Sequence, residues 1–149
     1  EPPEEVVEAI RNAEIVVLGP GSLFTSVIPN LLVPRIVDAL VSTRAVRVYV
    51  CNVMTQPGET DNFTASDHVR AIEAHAGRRV CDYVLVNTAT PSPELLERYR
   101  ASGQEMVEPD IDRIRAMGYR VVAGNFISES DFVRHDPIRL AEAILKLGR

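Results

Sequence analysis

Apolar residues fall along this chain in short continuous runs, separated by longer stretches with helical spacing. Ile15-Val16-Val17-Leu18 is apolar at every position, and Val46–Val50 alternates less than a half-exposed strand would. Residues 83–86 and 119–123 repeat the type. Between these runs the spacing predicts helices over 22–32, 36–41, 64–76, 93–103, 110–117 and Pro137–Leu147. Pro3 followed by Glu4 and Glu5 reads as the first turn of a further helix, with Val6, Val7 and Ile10 on its inner face. Strands that are apolar throughout, spaced by helices, predict a parallel sheet covered on both faces. The expected class is therefore α/β: a three-layer α/β/α, Rossmann-like arrangement, mainly parallel, with helices on both faces of the sheet.

Local punctuation supports these boundaries. Thr64 with Asp67 three residues on has the capping-box pattern, and Gly77 stops that helix. Ser92-Pro93-Glu94 opens the next helix, and Asp136 with Pro137 opens the last. His68 stands in a first turn and reads as a surface or capping residue. His75 stands in a last turn, where a cation suits the helix dipole. Tyr99 falls on the inner stripe of its helix, as core or as a platform for a base.

Ligands of parallel sheets bind beyond the C-terminal strand ends. That rule selects the loops 19–26, 52–60, 87–93 and 124–135. The first runs Gly19-Pro20-Gly21-Ser22-Leu23-Phe24-Thr25-Ser26 directly behind an apolar strand. A tight glycine turn that opens a helix presents unpaired backbone N–H groups and suits an anion. Its hydroxyls, Ser22, Thr25 and Ser26, either cap the helix or touch a ligand. The second loop gathers Asn52, Gln56, Glu59 and Thr60, either to read a base or sugar edge or as a surface turn shaped by Pro57-Gly58. In the fourth, Arg134 reaches for phosphate or pairs with Asp131 or Asp136. The turn is neither a Walker loop nor a dinucleotide fingerprint, and no His/Cys cluster has zinc spacing.

Composition narrows the partners. The 149 residues carry a formal net charge of -5, with 46% hydrophobic and 25% charged residues. Nothing here supplies the basic face that nucleic acid demands. No apolar run approaches the roughly 20 residues of a membrane span. Cys51 and Cys81 both fall in or beside predicted buried strands, which points to a reducing cytoplasm.

Two long motifs carry a resemblance. The stretch from Leu18 through Pro29-Asn30 to Val33 looks like the signature of the gluconeogenesis factor family. Residues 52–60, with Asp67-His68-Val69 behind them, resemble that family's second block. The family is related to 2-phospho-L-lactate transferase. The resemblance implies a cytoplasmic protein that binds a nucleotide sugar of the UDP-N-acetylglucosamine type and influences carbon use and cell-wall synthesis. By position it assigns ligand contacts to Gly19, Gly21, Ser22, Thr25, Asn30, Asn52, Gln56, Glu59 and Thr60, with Ser26 and Arg134 from the loops themselves. A homo-oligomer is expected, with no catalytic residue assigned. The alternative is a transferase of a nucleoside-diphosphate-activated phospho-group, in which Mg²⁺ accompanies the diphosphate beside Glu59 or Asp67. The resemblance also implies that residues 1–149 form one α/β domain, the C-terminal part of a longer chain.

Overall fold

The computed structural model describes residues 1–130 and 132–148, Glu129 through its backbone alone. Helix α1 (Glu4–Asn12) leads into strand β1 (Ile15–Leu18). A π-helical turn, Leu23–Val27, runs into α2 (Ile28–Leu31), followed by α3 (Ile36–Ser42). Then come β2 (Val46–Val50), α4 (Ala65–Ala76), β3 (Tyr83–Asn87), α5 (Pro93–Ala101) and α6 (Ile111–Ala116). Strand β4 (Arg120–Gly124) precedes a hairpin of β5 (Ile127–Glu129) and β6 (Val133–His135), and α7 (Pro137–Leu147) follows.

The four main strands lie in sequence order, β1-β2-β3-β4, all parallel, with Val17 beside Val48, Val50 beside Leu85 and Val84 beside Val121. When each strand lies beside its predecessor, right-handed crossovers carry every connecting helix to the same face. The larger core lies there: Leu31, Ile36, Leu40, Val69, Ile72 and Ile114 pack on Leu18, Tyr49, Val84 and Val86. The opposite face holds Val48, Val50 and Leu85, and α7 covers it with Leu140, Ala143, Ile144 and Leu147, joined by Phe126. Helices thus cover both faces, as expected, but unequally.

Three departures from the sequence reading have physical causes. The segment 22–32 does not start as an α-helix, because Pro29 has no N–H to donate one turn back. The chain winds wider there, with Val27 N–H bonded to Ser22 and Ile28 N–H to Leu23. The loop 124–135 contains the hairpin, whose three-residue strands pair antiparallel, Ile127 opposite His135; strands so short leave no legible alternation. His68 is fully buried rather than on the surface. Its Nδ1 lies 2.8 Å from the Thr64 carbonyl and its ring meets Phe63 edge-on.

Two polar ties hold the loops above the sheet. Asp110 leaves the head of α6 uncapped and instead accepts from the backbone N–H and hydroxyl of Ser66 at the start of α4. Residues 53–55 pair with 105–107 through Thr55 N–H to Glu105 and Val107 N–H to Val53.

Burial holds the His68 imidazole below its ordinary acidity range, partly offset by the Thr64 carbonyl. A depressed histidine binds its proton more tightly when unfolded, so its stabilising effect is complete above about pH 6.5 and is lost as pH falls below that value. Asp110 acts only at lower pH, because burial raises its pKa but hydrogen bonds from Ser66, Thr64 and the backbone together bring it below the usual carboxylate value. Thermal melts between pH 7 and 5 should therefore show falling stability. His68→Gln should shrink the slope by at most one proton, about 1.4 kcal/mol per pH unit. Thr64 accepts from Asp67 N–H while Asp67 accepts from Thr64 N–H; Thr64→Ala should cost about 1 kcal/mol in denaturant unfolding.

Candidate functional site

Behind β1 the chain turns through Gly19, whose φ of 80° suits glycine and whose added Cβ would meet the Val50 carbonyl at 3.1 Å. The turn is therefore seated against the neighbouring strand. From Gly21 to Thr25 the N–H groups have no backbone acceptor among the described residues, since the first return bonds are those of Ser26 and Val27 to Ser22, at 2.9 and 3.0 Å. Ser22 precedes the π-helical turn without a side-chain cap. Its hydroxyl instead receives the Gln56 amide at 2.8 Å, joining the first two loops.

A cleft of about 410 Å³ opens beside this turn, at the C-terminal ends of the strands. Pro20, Gly21 and Ser22 line it from the first loop and Asn52, Met54 and Gln56 from the second. Tyr99 and Gln104 enter from α5 and the segment after it, and Val133, Arg134 and His135 from β6. The walls are tied together. Tyr99 Oη accepts the Val133 N–H at 2.9 Å, fixing the hairpin to α5, and the Gln104 amide donates to the Thr55 carbonyl at 3.2 Å. Asn87, buried at the end of β3, accepts the Phe126 N–H at 3.0 Å and so sets where the hairpin begins.

Of the residues expected from the sequence, Gly21, Ser22, Asn52, Gln56 and Arg134 meet in this cleft. Gly19, Ser26 and Asn30 line a second, more apolar cleft of about 350 Å³ along β1, where the Asn30 amide donates to the Ser26 carbonyl at 2.6 Å. Thr25 is exposed and lines neither. Thr60 is buried, and its hydroxyl accepts the Gln56 N–H at 2.8 Å, closing the second loop on itself. Glu59 sits in that turn outside both clefts.

Arg134 is exposed, with its guanidinium 5.9 Å from the Phe132 ring. Its alternative partner Asp131 lies outside the described residues, and Asp136 pairs with Arg139 and caps α7. Sequence reasoning missed His135 and Gln104. His135 fell inside a loop expected to be irregular, and only its step from Arg134 to the Asp136-Pro137 cap hinted at a fixed position.

The cleft carries amides, one guanidinium, one imidazole and one phenol, but no carboxylate among the described residues. Burial holds His135 below its ordinary acidity range, with the Cys51 backbone working against the shift, so the imidazole is neutral near pH 7. Mg²⁺ on a diphosphate takes one or two carboxylates besides phosphate oxygens. Among the described residues the lining supplies none, and no three His, Cys, Asp or Glu side chains gather as a metal site. The described residues of the cleft do not fit the ion.

The chain is similar to known proteins over nearly its whole length. A gluconeogenesis-factor relative from Aquifex aeolicus is 53% identical over 146 residues, 97% of this chain and 44% of the relative. The Bacillus subtilis protein named gluconeogenesis factor is 40% identical over 148 residues, 99% of this chain and 47% of its own length. The chain thus spans less than half the length of these relatives. A crystal structure of a UPF0052-family protein from Bacillus halodurans matches with a TM-score of 0.95 and 45% identity, covering 97% of this chain and 47% of that one. The family described as 2-phospho-L-lactate transferase CofD matches residues 1–127, and the chain belongs to that family.

Proposed function

We propose that the chain contributes a binding site for a nucleotide sugar of the UDP-N-acetylglucosamine type, in a cytoplasmic regulatory protein that influences gluconeogenic carbon use and cell-wall synthesis. The observation that carries the reading is convergence. Four separate segments bring backbone amides without a backbone acceptor among the described residues, Asn52 and Gln56, an aromatic ring and an exposed guanidinium to one cleft at the strand ends. Backbone amides and Arg134 suit a diphosphate. The amide side chains suit the edges of a base or sugar, and the Tyr99 ring suits stacking. A cleft of about 410 Å³ lies within the range of small-molecule sites, roughly 300–1,000 Å³. The names of the relatives support the regulatory half of the proposal, and the two buried free thiols support a reducing compartment.

The family's name favours a second reading, transfer of a phospho-group. Against it stands a lining whose one candidate base among the described residues, His135, has no described carboxylate beside it in the cleft.

Calorimetric titration of the full chain with UDP-N-acetylglucosamine should give saturable heat in the micromolar range. Arg134→Ala should weaken binding at least about tenfold, as expected of a lost charge-assisted contact, while leaving the melting temperature unchanged because the side chain is exposed. Absence of heat at millimolar ligand, or an Arg134→Ala affinity equal to wild type, contradicts the proposal.

A further inference from the structure

The opposite pole of the sheet carries another cleft, of about 480 Å³, at the N-terminal ends of β2, β3 and β4. Arg44, Arg47, Arg79 and Arg120 line it against one described carboxylate, Asp82, in a chain whose formal net charge is -5. Asp82 is already committed. It accepts from the Arg47 backbone N–H at 3.0 Å, from Nε at 3.2 Å and from Nη2 at 2.8 Å. Arg47 Nη1 donates to the Leu40 carbonyl at 2.9 Å, which completes this half-buried pair. The other three guanidiniums are exposed, and none has a carboxylate partner among the described residues. Two of them are braced. Arg79 lies 4.5 Å over the Tyr119 ring and donates to the Met117 and Gly118 carbonyls. Gly118 makes room for it, since a Cβ there would meet Arg79 Nη2 at 2.6 Å. Arg120 donates to Tyr83 Oη at 3.1 Å. Guanidiniums gathered in this way repel one another without an internal counter-charge, and their braced geometry lowers the ordering cost of binding an anion.

We infer that this cleft is an anion site, separate from the one at the C-terminal strand ends, for a small molecule bearing two or more linked phosphate groups. Each planar guanidinium can take two phosphate oxygens. A phosphate monoester carries about −1.5 to −2 near pH 7, so two of them match the +3 net charge of the lining. Arg44 leads into β2, Arg79 into β3, and Arg120 begins β4. Three adjacent strand ends spread the guanidiniums over roughly 10 Å, two interstrand spacings, which suits linked phosphates better than a single one. None of the exposed large apolar side chains lines the cleft, so it lacks the apolar contact that a lipid surface would use. The acidic remainder of the chain opposes a polynucleotide. The site stands whether or not the other cleft holds a nucleotide sugar.

The test is an amide-resolved NMR titration of the nitrogen-labelled full chain with inorganic phosphate, tripolyphosphate and citrate. Signals of Arg44, Ala45, Arg79 and Gly118 report this cleft, while those of Gly21 and Ser22 report the other. Failure at one cleft is therefore distinct from failure at the other. The Arg44, Ala45, Arg79 and Gly118 signals should move saturably with tripolyphosphate, at an affinity at least about tenfold above those for phosphate and for citrate, the scale of one charge-assisted contact. Arg44→Gln and Arg120→Gln should each weaken tripolyphosphate about tenfold at this cleft and leave the Gly21 and Ser22 response as in wild type. Arg44→Gln should keep the melting temperature, because its exposed side chain has no partner to lose. No saturable movement of these four signals in millimolar tripolyphosphate overturns the inference. Wild-type affinity in either variant overturns it as well. Phosphate or citrate bound as tightly as tripolyphosphate overturns the assignment to linked phosphates.

Discussion

The fold is built around a demand that backbone N–H groups make wherever a chain leaves a buried strand: they need acceptors, and helices leave the first of them without any. In this chain the demand is sharpened. Gly19 presses the turn against the Val50 carbonyl, and Pro29 forces the following winding open. The N–H groups from Gly21 to Thr25 consequently stand without backbone acceptors among the described residues. They stand at the end of the sheet where parallel strands put their ligands. Everything else around the cleft serves to hold other polar groups opposite this turn.

Those supports are mostly polar and mostly long-range in sequence. Ser22 is tied to Gln56, Thr55 to Glu105, Tyr99 to the hairpin and Asn87 to Phe126. Each hydrogen bond is of modest net strength, and Thr55 and Glu105 share two. Together they fix four loops on a sheet whose two apolar faces supply the stability. The division is a common one: a rigid, apolar scaffold carries loops that do the recognition.

The architecture was legible because it rests on periodicity and punctuation. Continuous apolar runs marked the strands, and Thr64 with Asp67, Gly77, Ser92 and Asp136 marked the helix ends where the structure has them. The family was legible too, since its motifs are long. The cleft was legible only in part. Gly21, Ser22, Asn52, Gln56 and Arg134 could be placed because a strand-end rule points to their loops. Thr60 and His68 could not, because a hydroxyl or imidazole facing inward on a loop or first turn reads the same in sequence as one facing water. His135 was hidden by a hairpin too short to show alternation. Glu59 falls outside the cleft for a similar reason: it lies in the turn closed by the Gln56–Thr60 hydrogen bond, and a closure made by a side chain is not visible in sequence.

The most direct measurement is an amide-resolved NMR titration of the nitrogen-labelled chain with UDP-N-acetylglucosamine. Binding of the diphosphate at the turn requires the N–H signals of Gly21 and Ser22, which line the cleft, to move downfield together and saturably, well beyond shifts elsewhere. If those two signals stay in place while the ligand is present in excess, or while signals move only in other parts of the chain, the turn amides do not hold the ligand and the central claim is wrong.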